Sequence, residues 1–195
     1  MRSKGLLYVN GYIIFILFLC CYSCHPNTNS SPEKVISGDN WKAVLRQELP
    51  LLGHRNWILI VDKAFPALNA PGIRVIYANE NLLGVLRYTF NNIDSSSHVR
   101  SIIYTDKEIQ YITPQLEKGI DAYRDSIKVI VHNQLLHPEL HDSVFTSIQK
   151  ISSLFKVLVI KTNETRAYSS VYLQLDCAYW NADKEKQLRL VMSSK

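Results

Sequence analysis

Residues 53–67 read GHRNWILIVDKAFPA. Five apolar side chains in succession, Trp57–Val61, sit between the polar loop Gly53-His54-Arg55-Asn56 and the pair Asp62-Lys63. An apolar run of this length without alternation is the pattern of a strand buried on both faces, which points to the centre of a sheet in an α/β protein.

The flanking sequence supplies the rest of such a fold. Residues 41–52 carry apolar side chains at 41, 44, 45, 49 and 52, a helical spacing that Asp39 or Asn40 can cap and Gly53 can stop. Residues 73–77, 99–104, 127–131, 157–160 and 171–175 read as further strands, and 82–90 as a helix. Thr113-Pro114 predicts a helix start running to about Arg124, with proline at the first turn where its missing N–H is harmless. Pro138 predicts another helix over 139–154, with Leu140, Val144, Ile148 and Ile151 on one face. Short apolar strands alternating with helices predict a single α/β layered domain, one central sheet covered by helices, over residues 41–180. Residues 181–195 form a C-terminal extension.

The chain has 195 residues, 47% hydrophobic and 20% charged, which excludes long disorder and coiled-coil arrays. Its net charge of +5 includes Arg2 and Lys4 in an acid-free N-terminal segment. The remainder holds 20 basic and 17 acidic side chains, too mild a balance and too scattered for a nucleic-acid partner. Residues 1–24 read as an export signal: two positive charges, then an uncharged apolar run over 12–21, shorter than the ~20 residues that span hydrocarbon. Ser23-Cys24 ends that run and resembles a bacterial lipobox, which makes Cys24 the expected lipidation site and a membrane-anchored lipoprotein, on the periplasmic or cell-surface side, the expected product. Residues 25–40, rich in Pro, Ser and Asn, read as a flexible tether. Beyond Cys20, Cys21 and Cys24 only Cys177 remains, so the exported domain has no internal disulfide and rests on its own core.

Ligand sites in open α/β sheets gather beyond strand carboxyl ends, which favours Asp62 and Lys63 as site residues. His54, at the other side of the same strand, is the nearest titratable imidazole in sequence, and both groups are expected to face one cavity. Asp62 can equally be a turn residue and His54 a loop histidine held by backbone. His137 and His141, spaced i and i+4, would share a helix face, but Pro138 stands where a zinc-protease motif needs Glu and no third ligand is evident, so no metal is expected. Trp41 and Trp57 read as core.

GHRNWILIVDKAFPA resembles the opening segment of the ribose pyranase / fucose mutarotase (RbsD/FucU) family, with its Gly-His-x-Asp loop, apolar strand, Asp and nearby Pro. The step of eight from His54 to Asp62 is shared. Residues 162–170, TNETRAYSS, resemble the family's closing Thr-Gly-Glu segment, in which Tyr-x-Asn precedes the last strand. Asn56 stands in place of the family's Asp, and Ser170 in place of the closing Asn. The resemblance spans roughly residues 41–179. It implies interconversion of the cyclic forms of a free monosaccharide without metal or cofactor, in a pocket between subunits of a ring-shaped homo-oligomer. It further implies His54, Asp62 and Tyr168 as catalytic residues. Lys63, Asn56, Ser170, His137 and His141 are the substrate-binding candidates. The ribose-type members also carry a His at a helix start, for which His132, His137 and His141 compete. The alternative is a monosaccharide-binding lipoprotein of the same fold without turnover.

Overall fold

The computed structural model describes residues 40–194; the expected export signal, Cys24 and nearly all of the expected tether lie outside the described residues. Six strands form one mixed sheet: β1 (Trp57–Val61), β2 (Ile73–Tyr77), β3 (Val99–Asp106), β4 (Leu136–Glu139), β5 (Val157–Lys161) and β6 (Val171–Cys177), in the order β2-β5-β1-β6-β3-β4. β1 lies inside the sheet and every one of its residues is buried. It pairs parallel to β5 and antiparallel to β6, and β3 is antiparallel to β6 and parallel to β4. With β2 parallel to β5, five strands share one direction and β6 alone runs against them.

The strand periodicity of two divides the core into two layers. Ile58 and Ile60 point to a large cluster with α1 (Trp41–Glu48), α2 (Leu82–Asp94) and α3 (Ile120–Ile130). Trp57, Leu59 and Val61 point to a smaller one under α4 (His141–Ser152), joined by Val157, Val159 and Tyr172. Helices therefore cover both faces, as the run WILIV requires. Asn81 caps α2, its side chain accepting from the Gly84 N–H at 2.8 Å. The extension forms α5 (Ala182–Ser193), capped by Asn181, with no buried residue. Among the described residues no helix is long and apolar enough to cross a membrane.

Three expectations are corrected. Residues 127–131 are not a strand: Ile127 and Ile130 continue the i, i+3, i+4 apolar stripe of α3 begun by Ile120 and Tyr123. A run such as IKVIV is ambiguous between a strand and a buried helix end, and here Val129 faces solvent. The helix expected from Thr113 makes one turn only, with Leu116 and Glu117 N–H both bonded to Thr113 O, before Gly119, at φ 82°, redirects the chain into α3. Pro138 opens no helix. It lies in the edge strand β4, where proline needs no ladder partner on its free side, and α4 begins at His141.

Candidate functional site

Because β6 is antiparallel, the carboxyl ends of β1, β3 and β4 and the amino end of β6 meet at one rim of the sheet. Asp62 follows β1 there. Its Oδ2 accepts from Ser170 Oγ at 3.0 Å, its Oδ1 from the Ala64 N–H at 2.8 Å, and its own N–H donates to Ser170 Oγ at 3.2 Å. Ser170, fully buried just before β6, is thus the brace of the carboxylate.

His141, the first residue of α4, enters the same rim. Its Nδ1 lies 3.1 Å from Asp106 Oδ1, and its backbone N–H donates to the Glu108 carboxylate at 3.1 and 3.2 Å. Its ring meets those of Tyr168 and Phe145 edge-on, at centroid distances of 5.2 and 4.9 Å. Asp62, Phe65, Pro66, His141 and Tyr168 line an open cavity of about 260 Å³. Tyr168, part-exposed, holds a left-handed backbone conformation, φ 57°. Its loop is pinned by Glu164, which accepts from the Thr165 and Arg166 N–H groups and from the Arg166 guanidinium, all at 3.0 Å. Non-glycine residues at positive φ are uncommon, and such strain clusters at functional sites.

Asp106 is fully buried beneath His141. Burial pushes its carboxyl above the ordinary range, against the hydrogen bonds from His141 and Tyr172. The same desolvation, with the nearby Asp106 charge, pushes the Tyr172 phenol far up, so it stays a donor, at 2.9 Å to Asp106 Oδ1. Sequence reading passed over Asp106, Glu108 and Tyr172. Their one signal was placement at the end of β3, just beyond it, and at the start of β6.

His54 does not join this cavity within one chain. It precedes β1 while Asp62 follows it, and five strand residues at ~3.3 Å each separate the two ends by roughly 16 Å. This corrects the expectation of one shared cavity, since a strand delivers its two flanks to opposite rims. At its own rim, His54 Nδ1 lies 2.9 Å from Asp176 Oδ1, and its Nε2 accepts from Arg55 Nε at 3.2 Å. Arg100 donates twice to Asp176 Oδ2, at 3.0 and 2.6 Å. Burial opposes ionisation of Asp176, but the bonds from Arg100, the Cys177 backbone and His54 outweigh it and hold its carboxyl below the ordinary range. These groups, with Tyr179 and Trp180, line a second, wider cleft of about 640 Å³.

The other candidates are dispersed. Asn56 closes its own loop, accepting from the Gly53 N–H at 2.7 Å and donating to Lys156 O at 3.3 Å. Lys63 is exposed, and its N–H bonds to Glu164 O. His137 lies in β4 against the Tyr104 ring, and His132, in the turn after α3, packs against Phe90. His137 and His141 therefore sit on a strand and a helix, not on one helix face as their spacing suggested. Of the three competing histidines, His141 alone lines the Asp62 cavity. Trp41 is core, and Trp57, nearly so, borders a small cavity of about 220 Å³ under α4 with Tyr104 and Tyr172.

The six-stranded sheet, with its single antiparallel strand and helices on both faces, defines an α/β protein of RbsD-like fold. The structure of Bacillus subtilis RbsD complexed with D-ribose aligns with a TM-score of 0.51 at 17% identity, covering 72% of this chain and 96% of that one. FucU from Bifidobacterium longum aligns with a TM-score of 0.44 at 16% identity, covering 73% and 96%. No protein-family model matches the sequence, and no curated protein matches it. At this identity the RbsD likeness establishes the fold alone.

Proposed function

We propose that this protein binds a free monosaccharide and interconverts its cyclic forms by acid–base catalysis, in a pocket completed by a second copy of the chain. The observation that carries the reading is the convergence of Asp62, His141 and Tyr168 around one open cavity at the carboxyl rim of an RbsD-like sheet. The chemistry is balanced without a co-reactant. A base takes the proton of the anomeric hydroxyl, the bond from the anomeric carbon to the ring oxygen breaks, and an acid protonates that oxygen; reclosure gives another ring or anomer. Two proton-carrying groups are needed, and imidazole serves either role near neutral pH. His54 of a neighbouring copy supplies one, which accounts for its distance from Asp62 within a chain. Asp62 and the Tyr168 phenol bind sugar hydroxyls, with Lys63, Ser170 and His141 around them. Lipidation of Cys24 and assembly into a ring complete the proposal, as an exported, membrane-anchored enzyme.

Binding without turnover is the second reading. It is favoured by Asn56, whose side chain is committed to its loop, and by His54, both of whose ring nitrogens are engaged.

Saturation-transfer NMR on ribose, fucose, glucose and galactose separates the two. Faster exchange between ring forms, lost in His54→Ala, is the expected result. A raised melting temperature with no faster exchange assigns the binding role, and neither effect with any of the four sugars removes monosaccharides as the ligand class.

A further inference from the structure

We propose that Asp106 is a positioning residue that fixes His141 in the tautomer whose free ring nitrogen, Nε2, acts on the ligand in the Asp62 cavity. The sugar part of this inference rests on the function proposed above; the geometry does not.

Asp106 ends β3 with no solvent exposure. A buried carboxylate is expensive unless its hydrogen bonds are made. Both bonds it makes fall on one oxygen: Tyr172 Oη donates to Oδ1 at 2.9 Å, and His141 Nδ1 stands 3.1 Å from it. Oδ2 has no partner. A role in holding the start of α4 does not account for this arrangement. The His141 backbone N–H is already taken by Glu108, and Asp106 reaches only the imidazole.

An ionised carboxylate is an acceptor only, so the proton of a neutral His141 must sit on Nδ1. Nε2 is then a lone pair, and no hydrogen bond among the described residues occupies it. The flanking rings of Phe145 and Tyr168 limit rotation of the imidazole. When Nε2 accepts the proton of an anomeric hydroxyl, the resulting imidazolium lies beside the Asp106 carboxylate in a site of low dielectric, the same logic by which a buried Asp supports a catalytic His. The titratable groups around the ring are Asp106 from β3, Glu108 beyond it, Tyr172 of β6, Asp62 and Tyr168 at the cavity, and Asp142 on α4 itself. Burial favours a proton on Asp106, while the bonds from His141 and Tyr172 favour its ionised form.

The test is nitrogen-15 NMR of the His141 ring, alongside sugar exchange rates. In the wild-type protein the neutral ring is expected to carry its proton on Nδ1; an Nε2–H ring overturns the proposal and needs no variant. In Asp106→Leu, which leaves Nδ1 no acceptor, the proton moves to Nε2, the tautomer a free imidazole prefers, and exchange falls at least about tenfold, part of the ~10²–10⁴ that a positioned acid–base group contributes. An unchanged tautomer in folded Asp106→Leu also overturns it. Tyr172→Phe, which keeps the carboxylate, retains the wild-type tautomer. If no sugar exchanges faster with the wild-type protein, the enzymatic reading fails, while the ring spectra still decide the Asp106–His141 pairing.

Discussion

Ser170 Oγ donates to Asp62 Oδ2 at 3.0 Å and accepts from the Asp62 backbone N–H at 3.2 Å, so one buried hydroxyl holds both ends of the residue that follows β1. The two residues are 108 positions apart and meet because β6 runs antiparallel beside β1. Ser170→Ala leaves a donor and a carboxylate oxygen unpaired at that rim. The expected loss is about 1–3 kcal/mol of stability, read as a lower urea midpoint at unchanged slope. An unshifted midpoint shows that water replaces the hydroxyl without loss.

The opposite placement of His54 and His141 on the sheet gives a complementation test. If each pocket takes His54 from one copy and His141 from another, His54→Ala and His141→Ala are both inactive alone. Unfolded, mixed in equal amounts and refolded together, they regain about one quarter of the sites, since random assembly in a symmetric oligomer pairs intact halves at that frequency. Mixtures that stay inactive place both histidines in one chain's function, and a His54→Ala protein that is active alone leaves His54 without a role in it.

Acid stability should depend on Asp176. Its native pKa is lowered, so the unfolded chain binds more protons between the two values, and stability falls as pH drops through that interval. The contribution is full above the ordinary Asp value of about 3.9 and fades below it. Asp176→Asn should therefore flatten the acid limb of a melting-temperature profile below about pH 5. An acid limb as steep as that of the wild type would show that other carboxylates govern it.

Gly72 tests the packing of the β2 and β5 ends. A Cβ there would run into the backbone oxygens of Ser152 and Phe155, which cannot swing aside as a side chain can, and Gly72 O accepts the Val157 N–H at 2.8 Å. Gly72→Ala should destabilise by about 1–3 kcal/mol or more, visible in thermal unfolding. Gly53→Ala, with open space around the same atom, is the matched control.

Much of the architecture was legible in the linear chain. Trp57–Val61 and Val157–Ile160 are runs of apolar residues that only a sheet covered on both faces can bury, and residues 82–90, read as a helix, lie within α2. The segment between β3 and α4 was misread. A short apolar run such as residues 127–131 has the same composition at a helix end as in a strand, and the left-handed turn at Gly119, which moved the helix start, has no signature beyond the glycine itself.

By itself the sequence determined that β1 is central and that a carboxylate and an imidazole flank it, because burial follows from local composition. Tertiary structure alone decided that those two groups face opposite rims, since a strand is straight and its ends diverge. It also decided which histidine meets Asp62. His141 reaches the cavity, and Asp106 and Tyr172 reach His141, through the pairing of β4 and β6 with β3, a long-range choice that no local spacing encodes.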